Sequence, residues 1–255
     1  RSPPPFSPRG PGGVATARSG PGGAPAMTTG AVSYELDGSV AVIRLDDGKA
    51  NAISHELVDD LHAALDRAEA EARAVVLVGR EGRFSAGFHL PTMTAGTEEM
   101  QGLVTAGAEL LLRLYLLPRP LVVACTGHAL AAGALILLAG DVRIGAAGEF
   151  KIGLNEVAIG MQLPIFAVEL ARDRLLPTAF TYATMGAQLY GPDEAAAVGY
   201  LDQVVPADEL VAAATAEAAR LGELRTGAFA ETKQRARTTT ADFARATLAE
   251  DMASI

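Results

Sequence analysis

The chain has 255 residues, enough for one large domain or two small ones, and 49% of them are hydrophobic, so a sizeable core can form. A net charge of −9 with a sequence pI of about 5.0 argues against a nucleic-acid binder held by phosphate contacts. The single cysteine, Cys125 in the apolar run LVVAC, permits neither an internal disulfide nor a thiolate metal cluster and suits a reducing cytoplasm. No apolar run reaches the roughly 18 residues that a membrane span needs.

Residues 1 to 26 are rich in Pro and Gly, carry Arg1, Arg9 and Arg18, and contain no acidic residue. Such a stretch buries too little apolar surface to offset the entropy of ordering it. Its basic character fits a transit peptide, but its prolines and glycines oppose the amphipathic helix that a transit peptide needs. The expectation is a disordered extension ahead of a start at Met27.

From Val32 the pattern alternates between strand and helix. VAVIRL (40 to 45) reads as a strand, and 54 to 72 as a helix that Ser54 caps and that carries Leu57, Leu61, Leu65 and Ala68 on one face. AVVLVG (74 to 79) is a buried strand, 98 to 116 a helix ended by Pro118, and LVVAC (121 to 125) another strand. AAGALILLAG (131 to 140) is too long and too rich in Ala and Leu for a strand and reads as a buried helix. VRIG and FKIG are further short strands, after which helices are expected at 163 to 175, 178 to 185, 193 to 198, 207 to 222 and 228 to 248. Strands with crossover helices, followed by helices alone, predict an α/β core with a helical C-terminal part.

Three places suit chemistry. RFSAGFHL (83 to 90) and GHALAAGAL (127 to 135) each follow a strand with small residues, and the second enters a helix whose first N–H groups are free to receive an oxyanion. Facing each other, the two loops would make a two-donor oxyanion hole; either alone is as well explained by packing. The third is Glu156, a lone carboxylate in KIGLNEVAIG. The pattern alone favours a glutamate that pairs with Lys151 or faces solvent over a general base whose proton affinity is raised by apolar neighbours.

The order FSAGFHL, GHALAAGAL, GD (140 to 141), IGLNEVAIG and GPDEAAAVGYLDQVVP (191 to 206) resembles the crotonase superfamily, also called the enoyl-CoA hydratase and isomerase family, from about Val32 to the C-terminus. The resemblance implies an α/β spiral of ββα units over 27 to 200 and a helical trimerisation region over 201 to 255. It also implies an acyl-CoA thioester substrate, a homotrimer or hexamer, no metal, and no cofactor beyond the coenzyme A of the substrate. Carried onto this chain, the oxyanion-hole N–H groups fall on Phe88 and Ala132, and the proton carrier on Glu156. Lys49 and Ala50 fall at the nucleotide, while the Ala86-Gly87 pair allows the backbone to approach the substrate closely. Lys233 falls at a basic position that can reach a phosphate, with an exposed helix face as the alternative.

His89 stands where many relatives have aspartate and reads as a hydrogen-bonded pocket wall ahead of a catalyst. His128 reads as structural, and Asp141 as a turn or cap residue. Leu135 stands where many hydratases carry a second glutamate. IGLNE with that leucine resembles the mitochondrial-type Δ3,Δ2-enoyl-CoA isomerases, which need one carboxylate, with Leu135, Ile136 and Ile159 expected to keep the site dry. The alternatives are a hydratase with an atypical water site, served by His89, a non-catalytic acyl-CoA binding protein, and a hydrolase or polyketide-tailoring enzyme working on a related enolate.

Overall fold

A computed structural model describes residues 27 to 254. The extension expected at residues 1 to 26 lies outside the described residues. Two sheets carry the fold. The larger has seven strands in the order β1 (Met27–Thr29), β2 (Val32–Asp37), β3 (Val40–Leu45), β4 (Ala74–Val78), β6 (Leu121–Cys125), β8 (Val142–Ala146) and β10 (Gln203–Val205). β1 to β3 form an antiparallel meander, and from β3 to β10 every pairing is parallel. The smaller sheet is parallel, in the order β5 (Gly82–Ser85), β7 (Gly127–Leu130) and β9 (Ile152–Gly153).

The chain therefore climbs in repeated ββα steps. β4 and β5 lead by way of the short α2 (Leu90–Met93) into α3 (Thr97–Leu116), β6 and β7 into α4 (Ala132–Ala139), and β8 and β9 toward α5 (Ile165–Arg174). In each step the first strand joins the large sheet and the second the small one, so the spiral expected from the sequence is present.

Strand periodicity divides the core into two layers. Val75, Leu77 and Val123 face α3, α4 and α1 (His55–Glu71), while Val76, Val78, Val122 and Ile144 face Leu210, Ala214, Ala218 and Leu221 of α8 (Leu210–Gly222). Ser54 caps α1 by accepting the Leu57 N–H at 3.2 Å. The second layer corrects the domain division expected at residue 200. β10 pairs with β8, and α8 covers the large sheet, so residues 201 to 222 belong to the core layer, and only α9 (Thr226–Ala253) stands apart on α3 and α5. Among the described residues no helix is long and apolar enough to cross a membrane.

Candidate active site

The two small-residue loops meet. Gly87 has φ of 91°, and a Cβ built on it would lie 2.9 Å from the Cβ of Ala131 and 3.3 Å from the Ala132 nitrogen. Only glycine lets these backbones approach so closely. The strand-like run around Gly87 is pinned on its other side, where Ile53 N–H donates to the Gly87 carbonyl at 2.8 Å and His89 N–H to the Ile53 carbonyl at 2.9 Å. The Phe88 N–H between them donates to no acceptor among the described residues. Ala132 is the first residue of α4, so its N–H has no acceptor within the helix. Ala131, which sets its direction, has φ 52° and ψ −127°, a conformation that side-chain-bearing residues avoid. Two amides free of protein partners thus sit on adjoining loops, as a two-donor oxyanion hole requires.

Asn51 is a residue that the sequence reading left out. It is fully buried with φ of 51°, donates to the carbonyls of Leu45 at 2.9 Å and Phe84 at 3.1 Å, and accepts the Asp47 N–H at 3.0 Å. Its own carbonyl accepts the Ser85 hydroxyl at 2.7 Å. An asparagine tolerates this left-handed backbone, and here it ties the segment carrying Lys49 and Ala50 to the strand that leads into Gly87. Asn in KANA, between strand and helix, was the available signal.

Glu156 precedes a single 3-10 turn over Val157–Ile159 and lines a cavity of about 390 Å³ together with Phe88 and Leu135. Lys151 does not pair with it: the Lys151 side chain is exposed, and among the described residues no basic group makes an ion pair with Glu156. Its Oε2 is buried without a hydrogen-bond partner. Burial pushes its pKa from 4.5 up to about 7, against the opposing pull of its own and the Asn155 backbone N–H groups. Among the described residues on this cavity wall it is the sole carboxylate.

The dry surroundings come from other residues than expected. Leu135 lines the cavity, but Ile136 is packed in the core and Ile159 is 61% exposed, turned outward on the 3-10 turn. Met93, Met100, Val104, Met161 and Phe166 supply the apolar wall in their place. Nothing in the sequence marked these methionines, because they come from three separate segments.

The remaining candidates lie outside this cavity. Lys49, Ala50 and His89 border a groove of about 540 Å³ beside α1. The His89 ring hydrogen-bonds the Thr92 hydroxyl through Nδ1 at 2.9 Å, which fits the pocket-wall reading. Ala50 and Ala86 border a further cavity of about 270 Å³ with the basic side chains of Arg83, His128 and Lys151, and Ala86 N–H donates to the Ala50 carbonyl at 3.0 Å. His128 Nδ1 accepts the Lys151 N–H at 3.0 Å.

Lys233 requires a correction. It is neither on an exposed helix face nor free to reach a phosphate: its ammonium is buried 2.8 Å from Asp141 Oδ2, and Arg237 binds the other oxygen of Asp141 at 3.0 Å. Asp141 also accepts the Leu121 N–H at 2.8 Å, so it anchors α9 to the sheet. Among the described residues, no group of three or more His, Cys, Asp or Glu side chains gathers to hold a metal ion.

The family model described as enoyl-CoA hydratase/isomerase matches residues 35 to 253. A probable enoyl-CoA hydratase of Bacillus subtilis is 32% identical over 160 residues, covering 61% of this chain and 61% of that protein. The human mitochondrial enoyl-CoA delta isomerase 1 is 33% identical over 184 residues, covering 70% of this chain and 61% of that protein. The chain thus spans less than two thirds of the length of either curated relative. The crystal structure of an enoyl-CoA hydratase/isomerase family protein from Pseudomonas syringae superposes with a TM-score of 0.85 at 43% identity, covering 87% of this chain and 96% of the other.

Proposed function

The chain belongs to the enoyl-CoA hydratase/isomerase family, and from that premise we propose that it moves the double bond of a 3-enoyl-CoA to the 2 position by a one-base proton shift. In this reaction Glu156 removes a proton from C2 of the thioester. The charge of the resulting dienolate rests on the thioester oxygen, held by the N–H groups of Phe88 and Ala132. The same carboxyl, now protonated, returns the proton to C4, so no proton is gained or lost over the cycle. The coenzyme A is part of the substrate, and the reaction needs no further group.

One observation carries the reading: among the described residues the cavity wall holds a single carboxylate, in no ion pair and with its pKa raised to about 7, and a leucine, Leu135, lines the same cavity. A base with that proton affinity is half ionised near neutral pH and can both take and return a proton. Leu135 offers no oxygen to hold the water that hydration would add, and His89 lies on another groove and so gives the hydratase reading no substitute.

The test is conversion of 3-hexenoyl-CoA to the 2-enoyl product, and separately hydration of crotonyl-CoA, by the parent and by Glu156→Gln. The parent should isomerise with little hydration. The variant should lose on the order of 10²- to 10⁴-fold in isomerisation, the range of a positioned general base. Brisk hydration that survives in Glu156→Gln would reject the assignment, and binding without turnover would make the chain a carrier.

A further inference from the structure

The cavity that holds Glu156 runs along α3. Met100 and Val104 line it, and the next residue of that helical stripe, Gly107, carries the Phe88 ring: a Cβ built on Gly107 would collide with the ring carbons. Phe88, whose N–H would hold the thioester oxygen, thus lines the cavity with its ring seated on α3 at Gly107. Six residues toward the start of α3, about 9 Å away at the helical rise, Gln101 donates from Nε2 to the Met252 carbonyl at 2.7 Å. The last turn of α9 is docked there. Asp251, buried in the same turn, accepts the Ile165 N–H at the start of α5 at 2.5 Å. The following residue but two, Ser254, lines the cavity and is exposed to solvent. The apolar wall of Met93, Met100 and Val104 thus gives way, at the end of α9, to a polar exposed rim.

We propose that the last turn of α9, held by Gln101 and Asp251, sets the acyl-chain length beyond which substrate binding stops improving, so that this site is built for short and medium unbranched acyl-CoA. The proposal rests on the acyl-CoA reading above. The span of α3 from Gly107, under the Phe88 ring, to Gln101, at the docked turn, is about 9 Å, close to the length of an extended chain of roughly eight carbons. Methylenes within that length are taken out of water against Met93, Met100 and Val104, and those beyond it pass Ser254 into solvent and gain nothing. Methionine walls adapt to the chain, so shorter chains are accepted as well.

The test uses saturated acyl-CoA from butanoyl to hexadecanoyl, which bind without reacting, with Kd measured by calorimetry. Affinity should rise by up to about four-fold per methylene to octanoyl-CoA and then level off. Ser254→Leu, which adds apolar wall at the rim, should carry the rise on toward decanoyl-CoA. Gln101→Ala, which releases the turn, should end the rise at a shorter chain. In that variant the rest of α9 stays clamped by Lys233 and Arg237, and unchanged circular dichroism checks this. An unbroken rise to hexadecanoyl-CoA, or a break at the same length in all three proteins, overturns the proposal. Binding of unreactive thioesters does not depend on whether Glu156 isomerises or hydrates, so this outcome is separate from that of the proton-shift assay.

Discussion

Two of the carboxylates that leave water in this fold meet opposite fates. Asp141 is ringed by donors: the Lys233 ammonium, the Arg237 guanidinium and the Leu121 N–H. Glu156 has one oxygen buried with nothing to accept from, and its pKa rises to about 7. A charge taken out of water must be compensated by partners or it remains as stored free energy. At Asp141 the compensation is complete, and the result is a clasp that fixes α9 to the β6 end of the sheet. At Glu156 it is partial, since two backbone N–H groups reach the carboxyl and no cation does. The difference teaches where to look for chemistry in a fold of this kind, since burial is common to both sites and only the missing partner separates the base from the brace.

Removing Asp141 should therefore do the larger structural damage. Asp141→Asn leaves two buried cations facing a neutral amide, and breaking a buried pair in this way costs about 3 to 5 kcal/mol. Urea unfolding at pH 7 should show a loss of that size. A midpoint within error of the parent would mean that the clasp contributes little and that the contrast with Glu156 is false.

Glu156 should respond in the other direction. In the unfolded chain its carboxyl ionises near 4.5, whereas the fold holds the proton to about 7. Below pH 4.5 both states carry the proton and the site costs no charge. Between 4.5 and 7 the unfolded chain releases it first, and the folded protein loses stability as pH rises, up to roughly 3 kcal/mol above pH 7. Glu156→Gln removes that cost. The variant should be more stable than the parent at pH 8 by roughly that amount, and the gap should close by pH 4. Equal urea midpoints at pH 8 would show that the carboxylate is compensated after all.

Much of this contrast was legible in the sequence, and the rest was not for physical reasons. VAVIRL, AVVLVG and LVVAC are buried on both faces and read as strands at once, as α4 read as a helix from its Ala and Leu content. Of the small sheet only β9 was legible, inside the run FKIG. β5 and β7 are four residues each, and their register, Arg83 against His128, joins segments 45 positions apart that carry no periodic signal of their own. β10 was missed similarly, and with it the true extent of the core, because three residues beside β8 are recognisable only once β8 is placed. Glu156, Leu135 and the two loops stood out as motifs. Lys233 misled because helical periodicity gives a face but not the partner 92 residues away that turns the face inward. The methionine wall and Ser254 were invisible in sequence for the same reason: each is an ordinary residue made significant by packing.

The comparison can be sharpened once more through the backbone, with a smaller effect. Three residues other than glycine have positive φ among the described residues, and two of them, Asn51 and Ala131, support the loops of Gly87 and Ala132. Asn51 is held by its own hydrogen bonds, but Ala131, at φ 52° and ψ −127°, has no such relief. Strain of this sort costs on the order of 1 to 3 kcal/mol, and glycine would remove it while adding about 0.4 to 1 kcal/mol of unfolded-state entropy. Ala131→Gly should therefore raise stability by about 1 kcal/mol, which for a chain of this size lifts Tm by about 2 to 4 °C. In a region whose fold is relaxed, as on the Asp141 side, the same exchange of alanine for glycine lowers Tm. A fall in Tm for Ala131→Gly would thus place this loop with the brace rather than the base, and the free direction of the Ala132 N–H would need another cause than the strained residue before it.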